Sequence, residues 1–384
     1  MTDDLRLHDS LIGRAAMREL LNTPVLVLDR DALDRNIARM AAFFADGPCR
    51  LRPHVKAHKT PEIARRQLAA GSCVGLTCAT VHEAEQVAHL CDDLLIANEL
   101  IGLGKCERAA RVAIALRQRA GAHGRVTVAI DSVDGVRALS AAAGVAGVAM
   151  DVLVDVNVGQ NRCGVAPGSE TLELARQVAA HPHLALRGVM GYEGHVQPIR
   201  ARAEREAAAR AAMSRLIESV DALRAGGLPC EIVSAGGTGT FDISGRVSGV
   251  TEIQAGSYAL MDTHYAEVGV PFEQAFWVLG TVVSAPTPDR CVVDAGHKSM
   301  TKDHGMPSVA DMPGATVTAL NDEHAVIDLS SSSVRPRLGD RVRMVPSHTD
   351  PSINLHDDFY VLDGDRVIDV WPIARGYRPL VRRV

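Results

Sequence analysis

The chain has no long basic run, no paired cysteine motif and no long apolar segment, and each absence excludes a class of protein. Its 41 Lys and Arg are outnumbered by 46 Asp and Glu, which gives a net charge of -5 and argues against a nucleic-acid partner. The longest uncharged stretch, residues 138–150, is too short and too rich in Ala and Gly to span a bilayer. The acidic N-terminus lacks the apolar core of a signal peptide. We therefore expect a cytoplasmic protein that binds neither nucleic acid nor membrane.

The eight cysteines are scattered, with no CxxC pair and no histidine at the spacing of a zinc knuckle. This distribution predicts reduced core thiols. The composition, 47% hydrophobic and 23% charged over 384 residues, is that of a globular protein long enough for a barrel and a second domain.

Short aliphatic runs alternate with helical patterns over the first two thirds of the chain, which predicts a parallel β/α sheet. Two helical patterns are residues 29–44 and 205–227, the second ending at a Gly-Gly stop. The nine predicted strands are residues 25–29, 51–55, 74–78, 94–98, 126–130, 151–156, 186–192, 231–235 and 252–256. A (β/α)₈ barrel needs only eight, so the first strand is expected elsewhere.

From Phe276 onward the pattern changes to strand-like runs separated by turn signals such as PTPD, RLGD and DGDR, with little helix between them. This texture predicts a second, all-β domain that begins near residue 270.

The unusual residues mostly follow the carboxyl ends of the predicted barrel strands, the face on which such barrels assemble their active sites. They are Lys56 and the segments 157–164, 192–197, 236–240 and 256–258. This coincidence predicts an enzyme.

The segment AGGTGT, residues 235–240, is a candidate phosphate cradle. Glycine has no Cβ, so its amides can approach an anion closely, and Thr238 and Thr240 add hydroxyls. A tight turn explains the segment equally well, because it lacks the Lys of a P-loop and the spacing of a dinucleotide fingerprint. The segment follows one of the last strands of the predicted barrel, a common position for a phosphate site, and this favours the phosphate interpretation.

Lys56 lies in RPHVKAHK, together with the cationic neighbours Arg52, His54, His58 and Lys59. A surface lysine at a helix start is the ordinary interpretation. The alternative is a Schiff-base lysine, kept partly neutral by burial and by nearby cations. A lysine opposite a phosphate loop predicts pyridoxal 5'-phosphate (PLP), although other phosphorylated ligands fit the same residues.

His348 and Asp350 form an HxD pair in the second domain. In a strand the two side chains share one face, so a nitrogen and an oxygen can converge on one ion. Such a pair is often structural, but further possible ligands lie near it in sequence: His356, Asp357, Asp358 and the segment NDEH at 321–324. These donors suit Mn²⁺, Mg²⁺ or Zn²⁺.

Taken together, these motifs resemble the D-threonine aldolase and D-serine dehydratase family of the alanine-racemase-like, fold-type III PLP enzymes. The matching segments are TPVLVLD, RPHVKAHKTPEIA, DVNVGQNRCGV, GGTGT, TEIQAGSYALMD, VVDAGHKSM, NDEHAV, VPSHTDPSINLHD and VWPIARG. The resemblance implies an α/β fold, with a (β/α)₈ TIM-like PLP barrel over residues 24–270 and a C-terminal all-β domain over 271–384. Residues 1–23 or the first strand would join the second domain, and the protein would be a homodimer.

The resemblance also implies roles for individual residues. Lys56 matches the lysine that binds PLP covalently, and Arg162 matches the arginine at its phenolic oxygen. Tyr192 matches an active-site tyrosine. His348 and Asp350 match the divalent-metal pair, with Mn²⁺ expected first and Mg²⁺ or Zn²⁺ as alternatives. The phosphate and ring surroundings match Gly237, Thr238, Gly239, Ser257 and Tyr258.

Two positions bear on the subfamily. Asp350 is similar to the aldolases, which carry HxD where the dehydratases and hydroxyaspartate relatives often carry HxC. The aldolases have a histidine directly after the VQ of the tyrosine loop, where this chain has Pro198. His195 and Glu193 are the candidates to replace it, and His195 is the expected catalytic residue.

The resemblance thus implies PLP- and metal-dependent retro-aldol cleavage of a small D-3-hydroxy amino acid, D-threonine in type, to glycine and an aldehyde. The alternative is a D-serine or D-3-hydroxyaspartate dehydratase, which releases a 2-oxo acid and ammonia. Racemisation is disfavoured because it gives a metal pair no task. A non-catalytic PLP-binding protein and a barrel that binds a sugar phosphate noncovalently are rivals from other classes.

Overall fold

The computed structural model describes residues 11–13 and 21–377, and these residues form two compact units. The first, here called the barrel unit, contains Met40–Lys56 and Ile63–Gly256. The second, the β unit, contains Ala57–Glu62, Ser257–Gly376 and the described residues up to Arg39. Most of the N-terminal segment expected to join the second domain, residues 1–10 and 14–20, lies outside the described residues.

The first strand, β1 (Val25–Asp29), leads directly into helix α1 (Arg30–Phe43). The carboxylate of Asp29 accepts a hydrogen bond from the N–H of Ala32 at 2.9 Å and so caps the first turn of the helix. The helix predicted over residues 29–44 is confirmed.

Eight parallel strands form the sheet of the barrel unit. They are β2 (Arg50–Leu51), β3 (Leu76–Cys78), β4 (Asp93–Glu99), β5 (Arg125–Ile130), β6 (Met150–Asp155), β7 (Leu184–Gly191), β8 (Ile232–Ala235) and β9 (Glu252–Ile253). Their order is β2-β9-β8-β7-β6-β5-β4-β3. Bridges from Leu51 to Cys73 and from His54 to Thr77 connect the segments at the two ends of this order, so the sheet closes on itself. The predicted barrel is confirmed.

Helices alternate with these strands, as the β/α pattern predicts. They are α2 (Pro61–Ala69), α3 (Val81–Val87), α4 (Leu103–Ala120), α5 (Val133–Ala146), α6 (Ser169–Ala180), α7 (Arg202–Ala225) and α8 (Phe241–Ser244). Helix α7 ends at the predicted stop, where Gly226 N–H donates to the carbonyl of Ala222 and Gly227 has a φ of 72°.

The strand predicted over residues 51–55 is shorter in the structure. Strand β2 ends at Leu51, and only the isolated bridge at His54 continues the pairing. Pro53 has no N–H to donate to a ladder, which explains the interruption.

The interior of the barrel is filled by side chains from neighbouring strands. Leu95, Ala129, Leu153 and Met190 form one buried cluster, with one residue from each of β4, β5, β6 and β7. Every residue of β6 is buried, as expected for a parallel strand covered on both faces. The packed interior leaves the carboxyl-end loops as the place for chemistry.

The β unit contains β1 and eight later strands: β10 (Phe276–Thr287), β11 (Arg290–Val293), β12 (Ser308–Val309), β13 (Thr316–Leu320), β14 (Ala325–Asp328), β15 (Arg341–Val345), β16 (Asp358–Asp363) and β17 (Arg366–Pro372). They form a mixed sheet in the order β13-β14-β11-β10-β1-β16-β17, with β15 paired to both β10 and β12. Two short helices lie among these residues, α9 (Thr263–Val268) and α10 (Thr349–Ile353). Strand β1 pairs antiparallel with β10 and parallel with β16. The mostly-strand C-terminal region is confirmed.

Within the described part of the chain, no helix combines the length and the apolar character that a membrane crossing requires.

Candidate active site

Lys56 lies in a 3₁₀ turn, Val55–Ala57, just beyond the bridge at His54. Its side chain is half-buried. The guanidinium of Arg52 is buried, and it donates to Glu252 Oε1 at 2.8 Å and to Asp93 Oδ1 at 2.7 Å. Arg52 is therefore the centre of a structural ion-pair network, not an uncompensated cation beside Lys56.

Arg162 is carried by the loop after β6. Asn157 folds this loop, because its side-chain oxygen accepts hydrogen bonds from the N–H groups of Gly159 at 3.0 Å and Asn161 at 3.1 Å. The guanidinium carbon of Arg162 lies 5.6 Å from the ring centre of Tyr192, which follows β7. The structure thus brings together two residues that the family resemblance assigns to the active site.

Two carboxyl groups lie close to the thiol of Cys163 in this loop, and these two acidic residues were not singled out from the sequence. Ligand atoms of Glu99, Asp131 and Cys163 all lie within 4.8 Å of one another. Burial and the neighbouring Glu99 raise the pKa of Asp155 well above its usual range, and Arg162 lowers it in part. The signal available in the sequence was an acidic residue at the end of each of three consecutive barrel strands.

Glu193 organises the loop that was expected to cradle a phosphate. It is fully buried, and its Oε1 accepts hydrogen bonds from the hydroxyls of Thr240 and Ser244, both at 2.6 Å. Its Oε2 accepts from the N–H of Gly236 at 3.1 Å. Both oxygens are engaged, so Glu193 is a structural acceptor and not the base considered as an alternative to His195.

Gln197 holds the same loop from its other side. Its Oε1 accepts from the N–H of Gly239 at 2.7 Å, and its Nε2 donates to Thr240 Oγ1 at 3.0 Å. A Cβ at Gly239 would come within 2.8 Å of the Gln197 carbonyl oxygen, a backbone atom, and a Cβ at Gly237 would come within 2.9 Å of Gln197 Oε1. The two glycines are thus explained by packing against Gln197, Thr238 is buried between them, and the phosphate cradle stays a prediction.

His195 is exposed and lies on the loop after β7. Its ring lies against Gly159, where a Cβ would come within 3.2 Å of Nε2. A guanidinium nitrogen of Arg215 lies 2.6 Å from the position that a Cβ of residue 159 would take. The histidine is accessible to a small molecule from solvent.

In the β unit, His348 and Asp350 lie side by side. His348 Nε2 is 3.6 Å from Asp350 Oδ2. The sequence interpretation placed both residues in a strand, and this was wrong. Strand β15 ends at Val345 and helix α10 begins at Thr349. His348 keeps an extended backbone as the helix N-cap, and the first helical turn directs Asp350 toward it.

The segment between them is fixed by a buried carboxylate. Asp262 Oδ2 accepts hydrogen bonds from the N–H and the hydroxyl of Thr349, both at 2.8 Å. Its Oδ1 accepts from the N–H of Tyr265 at 2.9 Å and so caps α9. Asp262 therefore ties the start of α9 to the start of α10, between the candidate ligands His348 and Asp350.

Two residues next to His348 were missed from the sequence, Asp303 and His304 in the segment TKDHG. Asp303 Oδ2 lies 2.6 Å from His348 Nδ1. The ring of His304 stacks on that of His348, with ring centres 4.0 Å apart and planes 10° apart. Burial lowers the pKa of His348, but Asp350 and Asp303 outweigh it, so this pKa lies above its usual value.

Three of the other possible ligands near the HxD pair make hydrogen bonds or ion pairs elsewhere. A ring nitrogen of His356 donates to the carbonyl of Ser299 at 2.7 Å. Asp357 forms an ion pair with Arg375. In the NDEH segment, Glu323 pairs with Lys298 at 2.9 Å.

Ser257 and Tyr258 lie in a 3₁₀ turn, Ser257–Ala259, of the β unit. Tyr258 is fully buried, with its ring centre 5.5 Å from that of Phe272. The carbonyl of Ser257 accepts a hydrogen bond from the N–H of Met261 at 2.8 Å, which closes the turn.

Two families of known proteins match this chain, one in each of two regions. The family described as the alanine racemase N-terminal domain matches residues 28–264, and the serine dehydratase domain family matches residues 275–362. A D-threonine aldolase from Arthrobacter is 40% identical over 93% of this chain and 93% of its own length. A 3-hydroxy-D-aspartate aldolase from Paracoccus denitrificans is 36% identical over 93% of this chain and 92% of its own. The crystal structure of D-threonine aldolase from Filomicrobium marinum superposes with a TM-score of 0.88 at 39% identity, covering 95% of this chain and 99% of that one.

The chain belongs to the D-threonine aldolase and D-serine dehydratase family.

The candidate residues fit PLP and a divalent metal ion. Two ligand atoms about 2.1 Å from one ion can lie up to roughly 4.2 Å apart. The separation of 3.6 Å between His348 Nε2 and Asp350 Oδ2 is within this limit. In the barrel unit, Lys56, Arg162 and the loop around Thr238 follow the carboxyl ends of β2, β6 and β8, where barrels of this kind bind ligands. A lysine for the covalent bond, an arginine for the ring and a glycine-containing loop for the phosphate are residues that suit PLP.

Proposed function

We propose that this chain catalyses PLP- and divalent-metal-dependent retro-aldol cleavage of D-3-hydroxy amino acids of the D-threonine type, giving glycine and an aldehyde. It is then a carbon–carbon lyase of the aldehyde-lyase class. The observation that carries the proposal is the pair His348 and Asp350, with a nitrogen and an oxygen 3.6 Å apart and partly open to solvent. The 40% identity to a D-threonine aldolase supports the same activity.

When bound, PLP supplies an electron sink for the pair released as the Cα–Cβ bond breaks, and a divalent metal supplies a charge that lowers the pKa of the β-hydroxyl. Lys56 binds the cofactor through its ε-amino group. Arg162, placed by the Asn157 turn and packed on Tyr192, orients the cofactor ring. His195 accepts the proton of the β-hydroxyl while Cβ becomes the aldehyde carbon, and a proton returned to Cα completes glycine.

We assign the remaining cofactor contacts to the residues named from the sequence. Gly237, Thr238 and Gly239 hold the phosphate. Ser257 and Tyr258 complete the surroundings of the cofactor. The barrel, predicted over residues 24–270, carries PLP, and residues 271–384 carry the metal pair. We assign the first strand to the second domain and not to the barrel, which the pairing of β1 with β10 and β16 supports.

The metal we propose is Mn²⁺, with Mg²⁺ and Zn²⁺ as the other candidates. One imidazole nitrogen and carboxylate oxygen, with room for water, suit such ions, whereas a closed structural zinc site uses four protein ligands. We further propose a homodimer that works in the cytoplasm. All eight cysteines lie within the described residues and are free thiols, which supports a reducing compartment.

The second candidate is a dehydratase that removes the α-proton and expels the β-hydroxyl, giving a 2-oxo acid and ammonia. The match of residues 275–362 to the serine dehydratase domain family favours it. Both reactions use the same cofactor residues, so the products decide between them.

The test is to incubate the PLP-loaded protein with D-threonine, first with Mn²⁺ and then with a chelator, and to identify the products. We expect metal-dependent glycine and acetaldehyde. Production of 2-oxobutanoate and ammonia would instead establish the dehydratase. Absence of any reaction together with absence of a visible absorption band would favour a barrel that binds phosphate ligands noncovalently.

Two variants assign the roles. Lys56→Ala should abolish both the visible absorption of lysine-bound PLP and turnover. His348→Ala should keep that absorption and lose the metal-dependent turnover. Cleavage that survives in Lys56→Ala would refute the assignment of the lysine.

A further inference from the structure

Asp303 makes a direct contact with His348, the histidine proposed to bind the metal, on the side of the ring away from Asp350. Its Oδ2 lies 2.6 Å from His348 Nδ1, whereas His348 Nε2 faces Asp350 at 3.6 Å. A neutral imidazole has one N–H and one lone pair. Donation from Nδ1 to Asp303 therefore leaves the lone pair on Nε2, the nitrogen that faces Asp350.

The carboxylate of Asp303 is itself held in place. The Thr301 hydroxyl donates to Asp303 Oδ1 at 2.6 Å. The N–H of Thr301 donates to Ser352 Oγ at 3.1 Å, and the carbonyl of Thr301 accepts from the Ser347 hydroxyl at 3.2 Å. Ser347 and Ser352 flank the HxD segment, so the loop that carries Asp303 is tied to the segment that carries His348.

The orientation of the His348 ring is restricted further by stacking. The ring of His304 lies parallel to it at 4.0 Å, and His264 packs on His304 at 4.6 Å. Rotation of the imidazole out of its plane would break the stack, and a flip within that plane would break the contact with Asp303 by replacing Nδ1 with Cδ2.

We propose that Asp303 is a positioning residue for the metal site, which fixes His348 in the Nδ1–H tautomer and turns Nε2 toward the ion. The inference rests on the proposed function, because that assigns a metal to His348 and Asp350. Carboxylates that accept a hydrogen bond from a metal-binding imidazole orient the ring and increase the basicity of its other nitrogen.

Asp303 is not a direct ligand on the Nδ1 side of His348. Two atoms bound to one ion at about 2.1 Å each lie roughly 3 Å or more apart. The 2.6 Å between Asp303 Oδ2 and His348 Nδ1 is a hydrogen-bond distance and leaves no room for an ion between these two atoms.

The experiment measures the Mn²⁺ dissociation constant of the PLP-loaded protein by competition with a metallochromic chelator, without substrate. Removal of such a supporting carboxylate typically weakens metal affinity about 10- to 100-fold, and we expect this of Asp303→Ala. Asp303→Asn should lose less affinity, because its amide oxygen still accepts from Nδ1–H. Thr301→Val should lie between Asp303→Asn and the wild type. The control is Asp365→Ala, an exposed carboxylate of the β unit, which should bind Mn²⁺ like the wild type.

His348→Ala separates this inference from the proposed function. If it binds Mn²⁺ as tightly as the wild type, the metal pair itself is wrong. If His348→Ala loses Mn²⁺ but Asp303→Ala keeps wild-type affinity, only the role of Asp303 is refuted. Equal loss in Asp303→Ala and His348→Ala would also refute positioning and make Asp303 a ligand. In each variant, unchanged visible absorption of PLP and an unchanged unfolding midpoint show that the fold is retained.

Discussion

The hydroxyl of Thr240 donates a hydrogen bond to Glu193 Oε1 at 2.6 Å, between residues 47 positions apart in the chain. Glu193 lies on the loop after β7 and Thr240 on the loop after β8, so the contact ties two neighbouring barrel loops together. The carboxylate is fully buried and has three donors. Its function is therefore to shape the loop that we propose holds the cofactor phosphate.

We expect Glu193→Gln to weaken PLP retention. The amide of Gln cannot accept from all three donors at once, so at least one of them loses its partner, at a cost of about 1–3 kcal/mol. The measurement is the fraction of PLP that remains after dialysis, compared with Glu204→Gln, which changes an exposed carboxylate near the start of α7. Wild-type retention in Glu193→Gln would show that the loop does not hold the cofactor.

We expect Arg52→Ala to destabilise the protein by about 3–5 kcal/mol, because two carboxylates then lack their buried cation. Arg52 bonds Glu252 at 2.8 Å and Asp93 at 2.7 Å. Urea unfolding measures the change. The matched control is Arg35→Ala, whose pair with Glu273 is exposed and should contribute little. Similar stabilities of the two variants would contradict the structural role of Arg52.

We expect Asp155→Asn to make the protein less sensitive to rising pH. Burial and Glu99 raise the pKa of Asp155 in the folded state, so the folded chain binds more protons than the unfolded one. Its contribution to stability then falls as pH rises from the unfolded pKa of about 3.9 toward the raised folded pKa. The Asn amide has no carboxyl proton to lose, so the variant avoids this loss.

The measurement is urea unfolding of Asp155→Asn and wild type at several pH values above about 4. The free-energy difference should increase in favour of the variant as pH rises and then become constant. Asp134→Asn is the control, since the carboxylate of Asp134 is 86% exposed. A difference that is independent of pH would contradict the raised pKa.

We expect Asp350→Cys to change the metal preference from Mn²⁺ toward Zn²⁺. Thiolate is a softer ligand than carboxylate and favours zinc. Competition between the two ions at fixed chelator concentration measures the change, and Asp350→Asn controls for loss of the carboxylate alone. An unchanged ratio of the two affinities would show that residue 350 does not contact the metal.

Much of the fold could be predicted from local patterns. The β/α alternation predicted the barrel, and the Gly226-Gly227 stop predicted the end of α7. The boundary errors have local causes. Strand β2 ends early because Pro53 cannot donate to the ladder, and the HxD pair lies at the start of a helix and not in a strand.

The candidate site residues also divide into those that local sequence indicates and those that it does not. Lys56, Arg162, Tyr192, His348 and Asp350 were predicted because their residue types are unusual at those positions and their segments resemble the family. Glu193 and Gln197 were not assigned their structural roles, because a hydrogen bond to a loop more than 40 residues away leaves no periodic signal. Asp303 was missed for the same reason, since it lies 45 residues before His348.

The sequence by itself determined the alternating strands and helices, the mostly-strand region after residue 270 and the reactive residue types at the strand ends. These properties depend on hydrophobic period, turn residues and side-chain chemistry, all of which are local. Only the tertiary structure decided which side chains meet. In it, Arg52 is the buried centre of two ion pairs, both oxygens of Glu193 accept hydrogen bonds from a neighbouring loop, and Asp303 contacts His348 Nδ1. Such contacts depend on how distant segments pack.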